Sequence, residues 1–292
     1  MKKGKFTVSK VITYIILAVV ALLFLFPLYW IVTGAFKGPA DIYSVKPVWL
    51  PTEWTLNNFD RLLTQRTAPL FQIFGWDGPT GPAAYRWLIN TVAMSVGAMV
   101  LTCITASMAG YALAKKRFRG RGLIFGLIVC AMALPKQVIL IPLLKEMSSL
   151  GLYNTLWAVI FPTVGWPFGV FLMKQFSESV PSEMLEAARI DGASELRTFA
   201  TVVLPLVKPG IGALAIFTFI NAWNDYFMQL VMLSDNVEYT ISMGISTLMG
   251  ESSVDMGVLM AGSALAAAPI IIVFLIFQKY FTQGITMGAV KG

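Results

Sequence analysis

The chain contains no histidine. That absence excludes a Ser-His-Asp triad, a histidine general base and any histidine-bearing metal site. Its two cysteines, Cys103 and Cys130, both fall inside apolar runs, where a thiol packs as a small hydrophobe and carries no redox message. No G-x-x-x-x-G-K-S/T phosphate loop occurs in the 292 residues, so ATP hydrolysis by the usual arrangement is excluded. Charge is scarce too: 13% of residues are charged, about half the roughly 25% of a soluble globular domain. An ordinary soluble enzyme is therefore ruled out.

What is present is apolar. Hydrophobic residues make up 57% of the chain and the mean hydropathy is +0.73. They gather into six runs long enough to cross a bilayer as helices, at about 11–35, 86–113, 122–144, 154–175, 209–233 and 256–278. Lys2, Lys3, Lys5 and Lys10 precede the first run as in a secretory signal, but its apolar stretch is too long and lacks a small-residue cleavage site. It reads as a retained anchor. The expected fold class is all-α integral membrane, with residues 1–292 forming a single transmembrane domain of six helices.

Basic residues set the orientation. Of 22 Lys and Arg, fifteen lie before the first run, at 114–121, at 174–208 or beyond 278, all on one side if every run spans. Residues 234–255, on the other side, carry four acids and no base. Short basic loops stay cytoplasmic, so both termini are expected inside. The net charge of +7 is then an address, not a sign of nucleic-acid binding. Two connections exceed a simple turn. The outer loop 36–85 is rich in Pro, Gly and Trp and predicts ordered irregular structure, while the inner loop 176–208 predicts helices. No internal repeat is visible.

In the inner loop, Pro181 suits a first helical position, Ala187 and Ala188 are strong helix formers, and Gly192 can end that helix in a left-handed conformation. Ser194 can cap a second helix, in which Leu196, Phe199, Ala200 and Val203 make one apolar stripe. Pro205 and Pro209 break it before the fifth run. Such a stripe can pack against its own spans, or dock as an amphipathic knob into a soluble partner.

Glu186-Ala187-Ala188, Asp191-Gly192 and Leu204-Pro205 resemble in type and spacing the EAA loop of ABC-importer permeases, and most resemble the MalG-like carbohydrate branch. Val202 stands where that pattern prefers Ile. Leu134-Pro135 with Pro142, Leu150-Gly151-Leu152 with Asn154-Thr155, Trp223-Asn224-Asp225, the run Tyr280–Gly292, and Leu56-Asn57-Asn58-Phe59 in the outer loop are similar to the same family in the same order. The resemblance implies a MetI/MalG-like permease fold in a bacterial inner membrane. It also implies a MalF-like second permease chain, two ABC ATPase subunits carrying ATP and Mg, an extracytoplasmic substrate-binding protein and a carbohydrate as solute, with no cofactor on this chain itself. By the same resemblance Glu186, Ala187, Ala188, Asp191, Gly192, Ser194, Leu196, Phe199, Leu204 and Pro205 form the ATPase-coupling surface. The tail 279–292 either frays or touches the ATPase.

A path for solute is sought in the fifth run, where Thr218, Asn221, Asp225 and Gln229 recur near helical spacing, with Asn224 beside them and Trp223 on another face. Asp225 is the one acid inside a run and has to face a cavity or a partner. Amides, carboxylates and aromatic faces suit a sugar, so Asn221, Trp223, Asn224 and Asp225 are pathway candidates; packing between helices uses the same residue types. Lys136 is expected to reach the membrane boundary or sit at a helix break. Outer-loop Trp49, Trp54 and Trp76 are expected as interface anchors or a docking surface for the binding protein. A permease for a non-sugar solute is the near alternative. A stand-alone secondary transporter would show inverted repeats and more intramembrane charges, and a membrane-embedded transferase would show paired carboxylates or a metal site.

Overall fold

The computed structural model describes residues 8–73, 76–249 and 254–289. In chain order these form α1 (Val8–Ala35), α2 (Pro39–Ile42), α3 (Asn57–Thr64), the short strands β1 (Thr67–Pro69), β2 (Gln72–Ile73), β3 (Trp76–Asp77) and β4 (Thr80–Pro82), and then α4 (Ala83–Lys115). There follow α5 (Arg121–Ala131), α6 (Lys136–Ser149), α7 (Trp157–Val164), α8 (Phe168–Glu178), α9 (Ser182–Ile190) and α10 (Glu195–Thr198). After a π-helical turn (Phe199–Val203) come α11 (Leu204–Leu206), α12 (Lys208–Asn224), α13 (Tyr226–Met232), α14 (Ile241–Met249) and α15 (Met256–Ala289).

Among the described residues, three stretches are long and apolar enough to cross a bilayer unaided: α1, α4 and the Met256–Gln278 part of α15. Three bent pairs also qualify when each is taken together, α5 with α6 (106°), α7 with α8 (41°), and Glu195–Leu206 with α12 (79°), so the count of spans is three, or up to six. The runs at 122–144, 154–175 and 209–233 are each interrupted, the first at the Lys136 position where a helix break was one of two expectations. Proline explains the first two, because it offers no N–H and disfavours helix in the residue before it. Pro135 stands directly before α6 and Pro167 directly before α8. The third is interrupted at Asp225, between α12 and α13.

Packing divides the chain into two compact units, one of residues up to Thr67 with Ile245–Ala268, the other of Ala68–Gly244 with the residues from Pro269 on. In the first, α1 exposes its large apolar side chains and buries only Thr33, Gly34 and Ala35. A helix apolar on all sides in this way suits lipid. Its last carbonyl, which lacks an intrahelical donor, is met by the buried amide of Asn58: Nδ2 donates to Ala35 O (3.0 Å) and also to Lys37 O (2.8 Å) just beyond the helix. That gives the Asn57-Asn58 pair of the outer loop a structural task. The rest of that loop is ordered, as expected, with Phe36 packed on Trp54 and Phe59.

The second unit is built around α4. Small residues let backbones approach where no apolar driving force favours helix association in lipid. A Cβ on Gly110 would lie 2.6 Å from the backbone of Met173 and Lys174 in α8, and one on Gly210 of α12 would meet the Phe176 ring at 2.4 Å. At one end of α4, Asn90 donates to Val237 O and Tyr239 O, Trp87 Nε1 to Asn236 O, and Thr91 accepts from Ile241 N–H. Arg86 donates to Val237 O and lies 3.5 Å from Glu238, whose burial raises its pKa against that favourable charge. Asn154, in a left-handed conformation (φ +59°), accepts from Ser234 and Asp235 N–H. The family-like Leu150-to-Thr155 stretch therefore braces the segment that follows α13.

Candidate functional site

Two regions gather the residues singled out by sequence. The first is the inner loop. The α9 helix begins at Ser182, with Pro181 as the residue that caps it rather than the first helical one. It ends in a Schellman turn: Ala193 N–H reaches Ala188 O (2.9 Å), Gly192 N–H reaches Arg189 O (3.0 Å), and Gly192 takes φ +74°. Ser194 then caps α10 by accepting from Arg197 N–H at 3.4 Å. Gly192 thus ends α9 in the left-handed conformation that its sequence position implied.

The apolar stripe does not stay together. Phe199 and Val203 are buried among Tyr111, Met173, Phe176, Val180 and Leu185, while Leu196 and Ala200 face outward. The π-helical turn spreads the repeat, so the buried set becomes Thr198, Phe199, Val203 and Val207. Of the ten coupling candidates, Ala188 and Phe199 are buried and Leu204 is half-buried. Glu186, Ala187, Asp191, Gly192, Ser194, Leu196 and Pro205 are exposed. Sequence reasoning missed Ile190, 86% exposed, which with Leu196 (68%) flanks the glycine turn. Its signal was a large aliphatic residue directly before the Asp-Gly stop.

Charges fasten this loop to α4. Lys116 donates to Glu195, which also lies 3.6 Å from Arg189 and 3.4 Å from the Tyr111 hydroxyl. The hydrogen bond from Lys116 holds the Glu195 carboxyl below its ordinary pKa. Lys115 donates to Val180 O (2.6 Å) and Glu178 O (3.1 Å), meeting the unpaired carbonyls at the end of α8. A polar recess of about 550 Å³ lies beside these groups, lined by Lys115, Lys116, Arg117, Ser182, Leu185, Glu186 and Arg189. Glu186 therefore already has basic groups of its own chain nearby.

The second region lies where helices are interrupted. Asp225 caps α13, its Oδ1 accepting from Met228 N–H at 3.4 Å, and its Oδ2 accepts from Lys136 Nζ at 3.0 Å. Lys136 opens α6 just past the 106° bend, so one ion pair joins two helix breaks. The Lys136 ammonium also lies 4.9 Å from the Trp166 ring centroid. Sequence placed Lys136 at a helix break or the membrane boundary and gave it no partner.

A break inside an apolar bundle strands carbonyls that need new donors. Gln229 supplies them: Nε2 donates to Ala222 O (3.0 Å) and Trp223 O (3.3 Å), and its Oε1 accepts from Thr240 (2.6 Å). Gln229 is therefore wholly buried, not aligned with Asn221 and Asp225 along one continuous face. Of the pathway candidates, Asn221 lines a cavity of about 170 Å³ together with Thr102, Lys136, Trp166, Phe217 and Thr218. Trp223 is 1% exposed and packs on Phe219, and Asn224 donates to Ile220 O, so neither joins that lining. A second, mostly apolar cavity of about 500 Å³ shares Lys136 and Trp166 with the first. Among the described residues, no group of three or more His, Cys, Asp or Glu could hold a metal ion.

Residues 104–287 match the family model for binding-protein-dependent transport system inner membrane components. An arabinooligosaccharides transport system permease protein of Halalkalibacterium halodurans is 34% identical over 94% of each chain. A melibiose/raffinose/stachyose import permease protein of Bacillus subtilis is 30% identical over the full length of both. Among solved structures, a chain of a bacterial ABC transporter involved in import of the acidic polysaccharide alginate superposes with a TM-score of 0.78. It is 24% identical and covers 96% of this chain and 100% of that one.

Proposed function

The chain belongs to the family of binding-protein-dependent transport system inner membrane components, and from that premise we propose that it is a membrane-spanning permease subunit of an ATP-driven carbohydrate importer. Two relatives that match over nearly the whole chain are named for transport of arabinooligosaccharides and for import of melibiose, raffinose and stachyose, which supports a sugar over an amino acid or phosphate. The chain does no chemistry itself. In this reading it sits in a bacterial inner membrane with both termini cytoplasmic, pairs with a MalF-like second permease chain, and receives solute from an extracytoplasmic binding protein.

Two ATPase subunits would carry ATP and Mg and drive the cycle through the inner loop. The observation that carries this reading is the Gly192 turn, which joins α9 to α10 and leaves Ile190 and Leu196 as the two most exposed large apolar side chains of the loop. Such a pair is expected to bury itself in a partner's groove. Glu186, Ala187 and Asp191 lie on the outward side of the same helix pair. Phe199 and Val203 anchor it to the bundle, so a push on the knob moves the helices behind it.

The test is reconstitution with the second permease, the ATPase and the binding protein. Replacing both Ile190 and Leu196 by serine is expected to abolish co-purification of the ATPase and sugar uptake, while the permease pair stays assembled. Undiminished ATPase recovery in that double variant refutes the docking surface; a wild-type complex that imports an amino acid and no carbohydrate refutes the choice of solute.

A further inference from the structure

The smaller cavity has a chemistry that the loop does not explain. Its walls combine the Trp166 indole, the Phe217 ring, the amide of Asn221 and the hydroxyl-bearing Thr102 and Thr218, with Lys136 its one charged residue. That ammonium is already matched by Asp225 at 3.0 Å, so the lining presents polar groups without net charge. Asn221 spends its Nδ2 on Phe217 O, which leaves the amide oxygen as acceptor. Thr102 supplies an independent observation. It is 3% exposed and its hydroxyl makes no hydrogen bond in the structure, whereas Thr163 of the same lining returns its hydroxyl to Val159 O.

A buried hydroxyl without a partner is costly and asks for a ligand group. Aromatic surface for C–H faces, an amide oxygen, hydroxyls and a neutralised ion pair are together what one pyranose or furanose ring requires. A carboxylate-bearing ring would instead need an uncompensated cation. The mostly apolar 500 Å³ cavity that shares Lys136, Thr163 and Trp166 with it, and that Glu146 also lines, gives the remainder of a chain of sugars somewhere to lie.

We propose that the cavity bounded by Thr102, Lys136, Trp166, Phe217, Thr218 and Asn221 is a subsite for one uncharged sugar ring, so that this chain grips the solute and selects against acidic sugars. The assignment rests on the carbohydrate-import reading and adds to it a location and a charge preference. Trp166 offers its ring to the sugar's apolar face, and Thr102 and Asn221 exchange hydrogen bonds with its hydroxyls. Asp225 compensates the Lys136 ammonium, which retains capacity for a further hydroxyl.

The experiment uses the full complex in proteoliposomes with labelled raffinose and arabino-oligosaccharides, against alginate oligosaccharides as the acidic probe. Trp166→Ala, Asn221→Ala and the near-isosteric Thr102→Val are each expected to lower uptake of the neutral sugar at subsaturating concentration about three- to tenfold, the effect of losing one contact in a desolvated site. Complex assembly and ATPase stimulation by the loaded binding protein are expected to persist. Asp225→Asn leaves Lys136 uncompensated and is expected to shift the ratio of acidic to neutral uptake toward the acidic probe. Neutral uptake unchanged in all three cavity variants overturns the subsite while leaving the importer reading intact. An unchanged acidic-to-neutral ratio in Asp225→Asn overturns the charge preference, and a wild-type complex that imports none of these sugars overturns both readings.

Discussion

Replacing Gln229 by leucine removes a side chain of similar size that makes three hydrogen bonds in a wholly buried place, to Ala222 O, Trp223 O and the Thr240 hydroxyl. Within membranes such bonds average about 0.6 kcal/mol each, so their simple loss comes to about 2 kcal/mol. The two carbonyls are stranded by the break at Asp225, and leaving them without donors raises the figure toward about 4 kcal/mol. At about 2–4 °C per kcal/mol for a chain of this size, the melting temperature of the solubilised protein is expected to fall by roughly 5–15 °C. Thr240→Val alone should cost less, since it leaves both carbonyls their donor and removes only the bond to the Gln229 oxygen and the long 3.4 Å one from Met243 N–H. The double variant should be less destabilised than the sum of the singles, with a coupling of about 0.5–1.5 kcal/mol. A Gln229→Leu protein that melts within a degree of wild type, or strict additivity with Thr240→Val, refutes the view that this side chain repairs the broken helix.

Three further outcomes follow from the geometry. Gly192→Val meets open space but must hold φ +74°, at a cost of about 1–2 kcal/mol; the protein should remain in the membrane while uptake and ATPase recovery are lost, and normal uptake would contradict the role of the turn. Gly110→Leu drives a side chain into the backbone of α8, where neither partner can yield, and should prevent accumulation of folded protein, as judged by a detergent-resistant monodisperse peak. Glu195, held below its ordinary pKa chiefly by the Lys116 hydrogen bond, stabilises the loop above the unfolded carboxylate value, and that contribution is lost as pH falls through the lower folded one. Hydrogen exchange across 193–198 should accelerate in that acid range in wild type and be already fast, without a pH step, in Glu195→Gln.

Much of this molecule could be read before its structure. Apolar runs of bilayer length announce membrane helices because lipid offers the backbone no other partner. Gly192 was legible for the equally local reason that a left-handed residue closing a helix is nearly always glycine. The interruptions were only half legible. Pro135 and Pro142 were visible, but nothing local distinguishes an aspartate that faces a cavity from one that ends a helix, and Asp225 does the latter. Once the helix stops there, the face drawn through Thr218, Asn221, Asp225 and Gln229 no longer exists. Gln229 turns inward to serve carbonyls that an unbroken helix would have satisfied, and Trp223 becomes core. The loop stripe failed for a related reason, because the π-helical turn at Phe199–Val203 departs from the 3.6-residue period on which the expectation rested. The partnership of Lys136 with Asp225 joins positions 89 residues apart, beyond any local pattern.

The α4 helix has 33 residues and no proline inside it, so it runs about 50 Å without an interruption. Its last turn is pinned to the inner loop through Lys115 and Lys116. Its first turns hold the 236–241 segment through Arg86, Trp87, Asn90 and Thr91. It is a connecting rod fixed at both ends. One uninterrupted helix therefore joins the loop-side contacts to the far segment, so the two ends of this unit share a single structural member.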